Sequence, residues 1–384
     1  MNKRVLCLCL LFLPVLLPAQ GNLWDDLKEL AHQGPREWFD WGVNYVTAPN
    51  AKLDSNYIYQ TPRLWTIGPH VDMIHTGMSL NSDIADISDK EEIRATLTNT
   101  LRSRLYTKVG ASISFGSIRL SYGVEVGRKS AERGKYTSLG ISARQGGIQL
   151  TYYDVSEYVD GVLKIDLEGE PVTINYTSDA PGRMKDLMIS GMYIFNSTRF
   201  DYGAVYSGRV LQRRSAGSFM ASARYMRGDI TFDIDDIVTR VLLNENGRYV
   251  FNQYSVGGGY SYNWVPYHRD GDARGRGVRN VAVNLTLMPQ LTFVNYIDMF
   301  SYSDDDPGRR TRVKGRLGLN YIGRAGVSFS WNRFILCSSV SYNRFMFRGA
   351  GSTQSYDDSK ETYSVESSCL FHDMTANVQL KIRF

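Results

Sequence analysis

Long apolar runs are nearly missing from this chain of 384 residues. Past residue 20 nothing approaches the roughly eighteen consecutive apolar residues that a spanning helix needs. The mean hydropathy of -0.29 agrees, and a helical membrane protein is excluded. Cysteine is scarce: of 4 residues, Cys7 and Cys9 fall in the first apolar stretch, which leaves Cys337 and Cys369. A concentrated basic stripe is lacking too. The formal charge is only +5, so nucleic acid is not an expected partner. Histidine numbers 5, which confines imidazole chemistry to His32, His70, His75, His268 and His372. Tyr (25) and Gly (35) are plentiful against 11 Pro, and with alternating patterns they point to strands.

The opening MNKRVLCLCLLFLPVLLPAQ has Lys3 and Arg4, an apolar run from Val5 to Leu17, and small residues near Ala19. That is the layout of a secretory signal peptide, expected over residues 1–20. Cys7 and Cys9 lie inside the run, which argues against a lipid-modified cysteine at the cleavage site. Residues 21–50 read as a periplasmic leader with one short helix, because Leu23, Leu27 and Leu30 recur at helical spacing in Leu23–His32.

Residues 51–384 change to a period of two. Over Val313–Trp331, Val313, Leu317, Leu319, Tyr321, Ala325, Val327, Phe329 and Trp331 share one face, with Lys314, Arg316, Asn320, Arg324, Ser328 and Ser330 on the other. This strand is expected to run roughly 60 Å at about 3.3 Å per residue. Similar stretches are Leu105–Phe115, Ile118–Val126, Tyr136–Ala143, Ile148–Asp154, Leu187–Phe195, Phe200–Arg209, Ser218–Thr231, Tyr249–Asn263, Asn280–Val294, Phe334–Arg348 and Leu370–Phe384. Short turns at Gly116-Ser117, Gln145-Gly146-Gly147, Asn196-Ser197-Thr198 and Asn332-Arg333 contrast with long polar connections, Pro266–Arg279 and Gly349–Glu361 among them. Short turns at one end and long loops at the other is the organisation of an outer-membrane barrel. The count between the turns at Asn196 and Asn332 comes out odd, which such a barrel forbids. The irregular stretch Phe232–Arg248 is where the error is expected.

A soluble sandwich also alternates, yet these strands are long, and aromatics gather near their ends: Tyr152-Tyr153, Tyr260 with Tyr262 and Trp264, Phe345 with Phe347. In lipid, an exported chain without spanning helices must close its strands into a barrel. The expected fold is therefore all-β, an antiparallel transmembrane β-barrel of about 12 strands (between about 10 and 14) with a short N-terminal helix. The closing strand is TANVQLKIRF: Val378, Leu380, Ile382 and Phe384 face lipid, and Lys381 and Arg383 face the lumen. This pattern resembles the terminal signal that such barrels present to the barrel-assembly machinery.

A further likeness lies mid-chain. Tyr193–Tyr225, YIFNSTRFDYGAVYSGRVLQRRSAGSFMASARY, carries an aromatic-x-Phe-Asn turn and then Gln212-Arg213-Arg214-Ser215-Ala216-Gly217-Ser218. With YSVGGGYSYNWV (Tyr254–Val265) and the turn Asn332-Arg333-Phe334, it resembles an uncharacterised domain-of-unknown-function family of Bacteroidetes outer-membrane proteins. The likeness covers roughly residues 50–384 and implies fold and location; it brings no catalytic residue, ligand or cofactor.

Several residues carry candidate chemistry. His70 and Asp72 share a strand face, with His75 near, and are the first pair to consider for a barrel hydrolase; a polar lumen cluster is the plainer reading. His372 and Asp373 adjoin and so point to opposite faces. Asp304-Asp305-Asp306 and Asp233, Asp235 and Asp236 offer oxygens without the spacing of a calcium loop, and neither metal nor cofactor is expected. His268–Arg279 carries Arg269, Arg274, Arg276 and Arg279 between glycines, suited to lipopolysaccharide phosphate or simply to solvent. Arg104, Lys108, Lys314, Arg316, Arg324, Lys381 and Arg383 fall on lumen faces, favouring anions or filling the lumen with salt bridges. Cys337 and Cys369 are equidistant from Thr353 in the expected loop and share polar-face parity, so a disulfide between them is expected.

Three functional readings are open: a non-enzymatic outer-membrane barrel (a narrow pore or a structural or surface-binding component), a barrel enzyme acting on lipid or peptide, and a soluble secreted β-rich binding protein. The expected partners are outer-membrane lipid, lipopolysaccharide and the assembly machinery. The first two predict extraction only by detergent and migration on a gel that changes on heating; solubility without detergent leaves only the third.

Overall fold

The computed structural model describes residues 53–61, 65–87, 92–102, 105–115, 118–127, 135–143, 146–157, 159–167, 170–177, 182–208, 210–231, 246–272, 276–301, 310–354 and 362–384. The expected signal peptide, the leader and its helix, Arg104, Arg274 and both acidic clusters lie outside the described residues. In chain order the strands begin with β1 (Ile58–Gln60), β2 (Trp65–Ile87), β3 (Glu92–Arg102), β4 (Tyr106–Phe115), β5 (Ile118–Glu125) and β6 (Lys135–Ala143). Next come β7 (Gly146–Glu157), β8 (Val159–Leu167), β9 (Glu170–Thr177), β10 (Gly182–Ile194), a one-turn helix α1 (Gly203–Tyr206), β11 (Val210–Gln212) and β12 (Ala216–Thr231). The last are β13 (Asn246–Arg269), β14 (Arg279–Ser301), β15 (Arg310–Lys314), β16 (Gly318–Trp331), β17 (Phe334–Gln354) and β18 (Thr362–Arg383).

Twelve of them close a barrel in the order β2-β4-β5-β6-β7-β10-β12-β13-β14-β16-β17-β18, all neighbours antiparallel, with β18 returning to β2. The closing ladder runs from Tyr363↔Asp86 to Arg383↔Thr66. Closure leaves the wall no edge, which is the condition for placing a sheet in hydrocarbon. Above the barrel, at the long-loop end, β3, β8 and β9 extend the sheet from the second half of β2, and β15 continues the partner line of β14.

The wall is apolar outside and polar inside. Trp65, Ile67, Val71, Met73, Leu285, Leu287 and Trp331 are exposed, whereas Lys108, Asn263, Asn284, Asn320, Ser328, Lys381 and Arg383 are buried. A soluble sandwich has the opposite sense. Terminal β18 follows the expected alternation: Val378, Leu380 and Phe384 face out, Ile382 is half-buried on the same side, and Lys381 and Arg383 face in.

Three differences from the sequence expectation have clear causes. The strand count of twelve is right, but its members are not. Residues 200–208, within the expected Phe200–Arg209, form no strand; they fold inside the barrel, with α1 in their middle. The true first strand, β2, alternates Trp65, Ile67, Val71 and Met73 outward with His70 and Asp72 inward. The odd count arises at Phe200–Arg209 rather than at Phe232–Arg248, most of which lies outside the described residues.

Second, Val313–Trp331 breaks at Gly315–Leu317. β14 bulges at Phe293 beside this break, since Tyr254 pairs with Val294 but Ser255 pairs with Thr292. A one-residue bulge reverses the parity of the residues beyond it. Val313 therefore turns into the barrel, and Lys314 and Arg316 are exposed, not luminal. Phe345 and Phe347 likewise point inward rather than to the girdle, while Tyr260, Tyr262 and Trp264 do face out.

Third, the β17–β18 register sets Cys337 opposite Gln379 and Cys369 opposite Phe347. The hairpin centre thus lies past the expected Thr353, and the two cysteines are separated by ten strand positions, roughly 33 Å. A disulfide needs Cα atoms within about 7 Å. Cys337 is a buried free thiol. Chain lacking residues 1–20, unfolded without reductant, is expected to titrate with two thiols; none would contradict this register.

Candidate functional site: a plugged lumen

The segment between β10 and β12, residues 195–215, leaves the wall and enters the barrel from the short-turn end. Its first anchor is Asn196, whose N–H donates to Ser218 Oγ (2.9 Å) and whose Nδ2 donates to the Gly217 carbonyl (3.0 Å). Next in the chain is α1, with Ala204, Val205 and Tyr206 buried. Gly208, at φ +70°, turns the chain back; a side chain there is strained and would also meet Ile335 Cδ1 at 2.5 Å. β11 then pairs with β1, so residues 53–61 close over the segment as a two-stranded cover.

The inner end of α1 leaves carbonyls without helical partners. Wall cations take them. Lys381 Nζ donates to the Tyr206 carbonyl at 2.8 Å and the Ser207 carbonyl at 3.4 Å, and Arg383 Nε donates to the Gly208 carbonyl at 3.0 Å. Arg383 also donates to Ser330 Oγ (3.0 Å), which fixes its fork against the wall. Positive charge at a helix C-terminus is the favourable sign. The Arg324 guanidinium lies 3.6 Å from the centre of the Tyr206 ring, and Tyr206 donates its hydroxyl to Asn284 Oδ1 at 2.7 Å. Gly326 gives that ring its room, since a Cβ there would stand 2.6 Å from Tyr206 Cε1.

Gln212 ties the other end. Fully buried, it donates from Nε2 to the carbonyls of Arg199 (2.6 Å), Arg214 (3.0 Å) and Tyr57 (3.3 Å), and its Oε1 accepts from the Asp201 N–H and Asn263 Nδ2 at 3.2 Å each. At the rim beside the cover, Arg213 donates to Asp270 (2.9 Å) and to the Ser55 carbonyl. His268 bonds to the same carboxylate at 2.8 Å, and His268 and then Arg213 hold its pKa below the usual range. A lowered carboxylate pKa means that this tether is complete above about pH 4 and weakens as pH falls through the folded pKa.

Above the plug is a chamber of about 300 Å³. Its lining includes His70, Asp72, Arg119, Ser121, Asp201, Tyr202, Arg224, Gln290, Arg324, Asp373 and Gln379. Its far end is capped by a buried apolar cluster that includes Ile74, Tyr106, Met226, Phe251, Phe345, Phe347 and Phe371. Beyond that cluster, ion pairs ring the wall: Arg183 with Asp154, Arg248 with Asp229, and Arg310 and Arg312 with Asp298.

The sequence pair His70 and Asp72 does meet in the chamber, at 3.4 Å, with Ser121 Oγ also 3.4 Å from the imidazole. The arrangement is not a working triad. Asp72 and Ser121 approach the same nitrogen, Nε2, while Nδ1 has no hydrogen-bond partner among the described residues. A base needs the acid on one nitrogen and the nucleophile on the other. His75 packs beside His372, the two rings tilted by 50° with centres 5.7 Å apart, rather than joining them. No group of three metal-capable side chains occurs among the described residues. Of the expected luminal cations, Lys108 and Arg324 are inside and Lys314 and Arg316 are not. The loop at His268–Arg279 lies at the short-turn end, where Asn332 (φ 54°) accepts from the Gly277 N–H at 2.6 Å and donates to the Val278 carbonyl.

Sequence reasoning missed Tyr206, Gln212 and Arg119 as plug and chamber residues. The available signal was Gly203 and Gly208 inside Phe200–Arg209, a poor composition for a strand. Gln212→Glu is expected to be the sharpest single lesion: three carbonyls would face a carboxylate. The predicted loss is about 3 kcal/mol or more of plug anchoring, seen as amide exchange faster by roughly a hundredfold over residues 200–212 with the wall's exchange unchanged.

The model of a domain of unknown function, DUF4421, matches residues 52–366. No curated protein matches the chain in sequence. Among solved structures, the outer membrane protease OmpT from Escherichia coli is similar at 8% identity, covering 85% of this chain and 98% of that one, with a TM-score of 0.44. The β domain of the Bordetella autotransporter BrkA is 11% identical, covering 83% and 100%, with a TM-score of 0.25. The toluene transporter TodX from P. putida is 8% identical, covering 84% and 91%, with a TM-score of 0.21.

Proposed function

The chain belongs to the DUF4421 family, a family of unknown function, and from that premise we propose that it is a non-enzymatic outer-membrane barrel held shut by its own plug. In this reading the short turns and plug face the periplasm and the long loops face outside, as in barrels of this class. The Bacteroidetes origin implied by the mid-chain likeness belongs to the same proposal. The observation that carries it is the anchoring of α1 by Lys381 and Arg383. A pore needs a continuous wet path, and here one end of the lumen holds hydrogen-bonded backbone while the other holds packed Phe and Tyr side chains. The protein then acts as a wall component and presents its upper strands and loops at the surface. The chamber is at the lower limit of size for a small-molecule site.

The geometry of His70 speaks against a triad at this position, since Asp72 and Ser121 meet the same ring nitrogen. Purified protein in planar bilayers is expected to pass no steady current. Lys381→Met with Arg383→Met, which removes the donors and keeps the bulk, is expected to loosen the plug, seen as faster amide exchange over residues 200–208, while the apolar end keeps the lumen closed to current. Each lost charged hydrogen bond weakens the plug by about 1.5–3 kcal/mol, or roughly tenfold or more in open population. A steady ohmic current through the unaltered protein would sink the closed-barrel reading.

A further inference from the structure

On the outer face at the short-turn end, β13 and β14 set Arg269 directly opposite Arg279, and β16 sets Trp331 on the other side of Arg279. All three side chains are exposed. Like charges opposed across an antiparallel pair destabilise the sheet unless an anion lies between them. The neighbouring acids are engaged elsewhere: Asp270 with Arg213 and His268, and Asp272 with Arg276 at 2.6 Å. Among the described residues no carboxylate pairs with Arg269, Arg279 or, in the adjoining turn, Arg333. The Arg279 guanidinium lies 5.4 Å from the centre of the Trp331 ring, which leaves its fork open outward.

The level of this pair in the wall identifies what it meets. Tyr267, Trp331 and Phe334 are exposed around it, forming an aromatic band of the kind that sits at lipid headgroups. Two guanidinium forks in such a band match the oxygens of a phosphate. We propose that Arg269 and Arg279, backed by Trp331, bind the headgroup phosphate of an anionic glycerophospholipid in the leaflet at the short-turn end. The proposal rests on the outer-membrane reading. That orientation also takes the loop's arginines away from lipopolysaccharide, which belongs to the leaflet at the long loops.

The test uses the full barrel reconstituted in phosphatidylcholine vesicles with and without phosphatidylglycerol, with bound lipid counted after gentle detergent extraction. The unaltered protein is expected to retain phosphatidylglycerol over phosphatidylcholine by about tenfold or more. Arg269→Gln with Arg279→Gln should bring the ratio near one, and Arg269→Lys with Arg279→Lys should fall between, because charge survives and the fork does not. Equal enrichment in the unaltered and Gln proteins would overturn the site. So would inorganic phosphate at millimolar concentration abolishing the enrichment, which would identify a free anion as the occupant. Heat-modifiable migration separates the barrel reading from the site: its loss in the unaltered protein counts against the barrel, and its retention in the Gln protein shows that any lost enrichment belongs to the site.

Discussion

The closed lumen depends on one exchange, buried cations of the wall against bare carbonyls of the plug. Lys381 and Arg383 are at most 1% exposed, and a lone ammonium or guanidinium in such a place carries a large desolvation cost. The carbonyls of Tyr206, Ser207 and Gly208 are at the open end of a one-turn helix and lack the partners that a longer helix would supply. Each set is expensive alone and satisfied together. The same strand that closes the wall against β2 therefore also closes the lumen, because Lys381 and Arg383 alternate with the outward Leu380, Ile382 and Phe384. Barrel closure and plug closure are read from one run of residues.

The rest of the interior is arranged by where polar groups find partners. Around the plug the wall supplies amide and hydroxyl side chains in cross-strand sets, such as Asn284 with Ser261, Asn263 and Thr286, and Asn320 with Thr292 and Ser255. Beyond the chamber the lumen takes in Phe251, Phe345, Phe347 and Phe371, packed beside buried polar groups such as Gln253, which donates to Asn295 Oδ1 at 3.0 Å. The bulge at Phe293 serves this packing. By reversing parity it sends Val313 and Ile297 inward to the apolar layer and keeps Thr292 and Gln290 inward below it.

The period of two, and hence the barrel, was legible because lipid leaves the wall so little freedom. What was not legible is where a non-local rule decides. Phe200, Tyr202, Ala204 and Tyr206 alternate with smaller or polar residues as a strand would, yet two glycines and the cations at positions 381 and 383 draw them inside as a helix and turn. In β2 only Pro69 interrupts the outward apolar row, and a proline is a poor sign of a strand. The two errors cancelled, so the total of twelve was reached with the wrong members. The Cys337–Cys369 expectation failed because a hairpin's centre must be known to a single residue, and strands that continue past the membrane give no local sign of where they turn. His70 and Asp72 were found together because two residues on one strand face need only the local period. That the acid reaches the wrong ring nitrogen is a matter of rotamers, which no spacing records.

The plug also explains what the mid-chain likeness consists of. Its Phe-Asn turn supplies Asn196, which clasps Gly217 and Ser218; its Gln-x-x-Ser-Ala-Gly-Ser element supplies Gln212, Ser215 and those same two residues. Ser215 Oγ accepts from the Val265 N–H at 3.0 Å, and Val265 closes the second similar stretch, Tyr254–Val265. The turn at Asn332 holds the Gly277 and Val278 backbone beside it. All these contacts fasten the plug or its rim at the short-turn end, and none of them reaches His70 or Asp72. Residues that carried a reaction would have to surround the reacting atoms, whereas these surround backbone carbonyls and amides. Within this chain, then, the residues of that likeness hold backbone at the plug and its rim, and through Asn196 and Ser215 they tie the plug to β12 and β13.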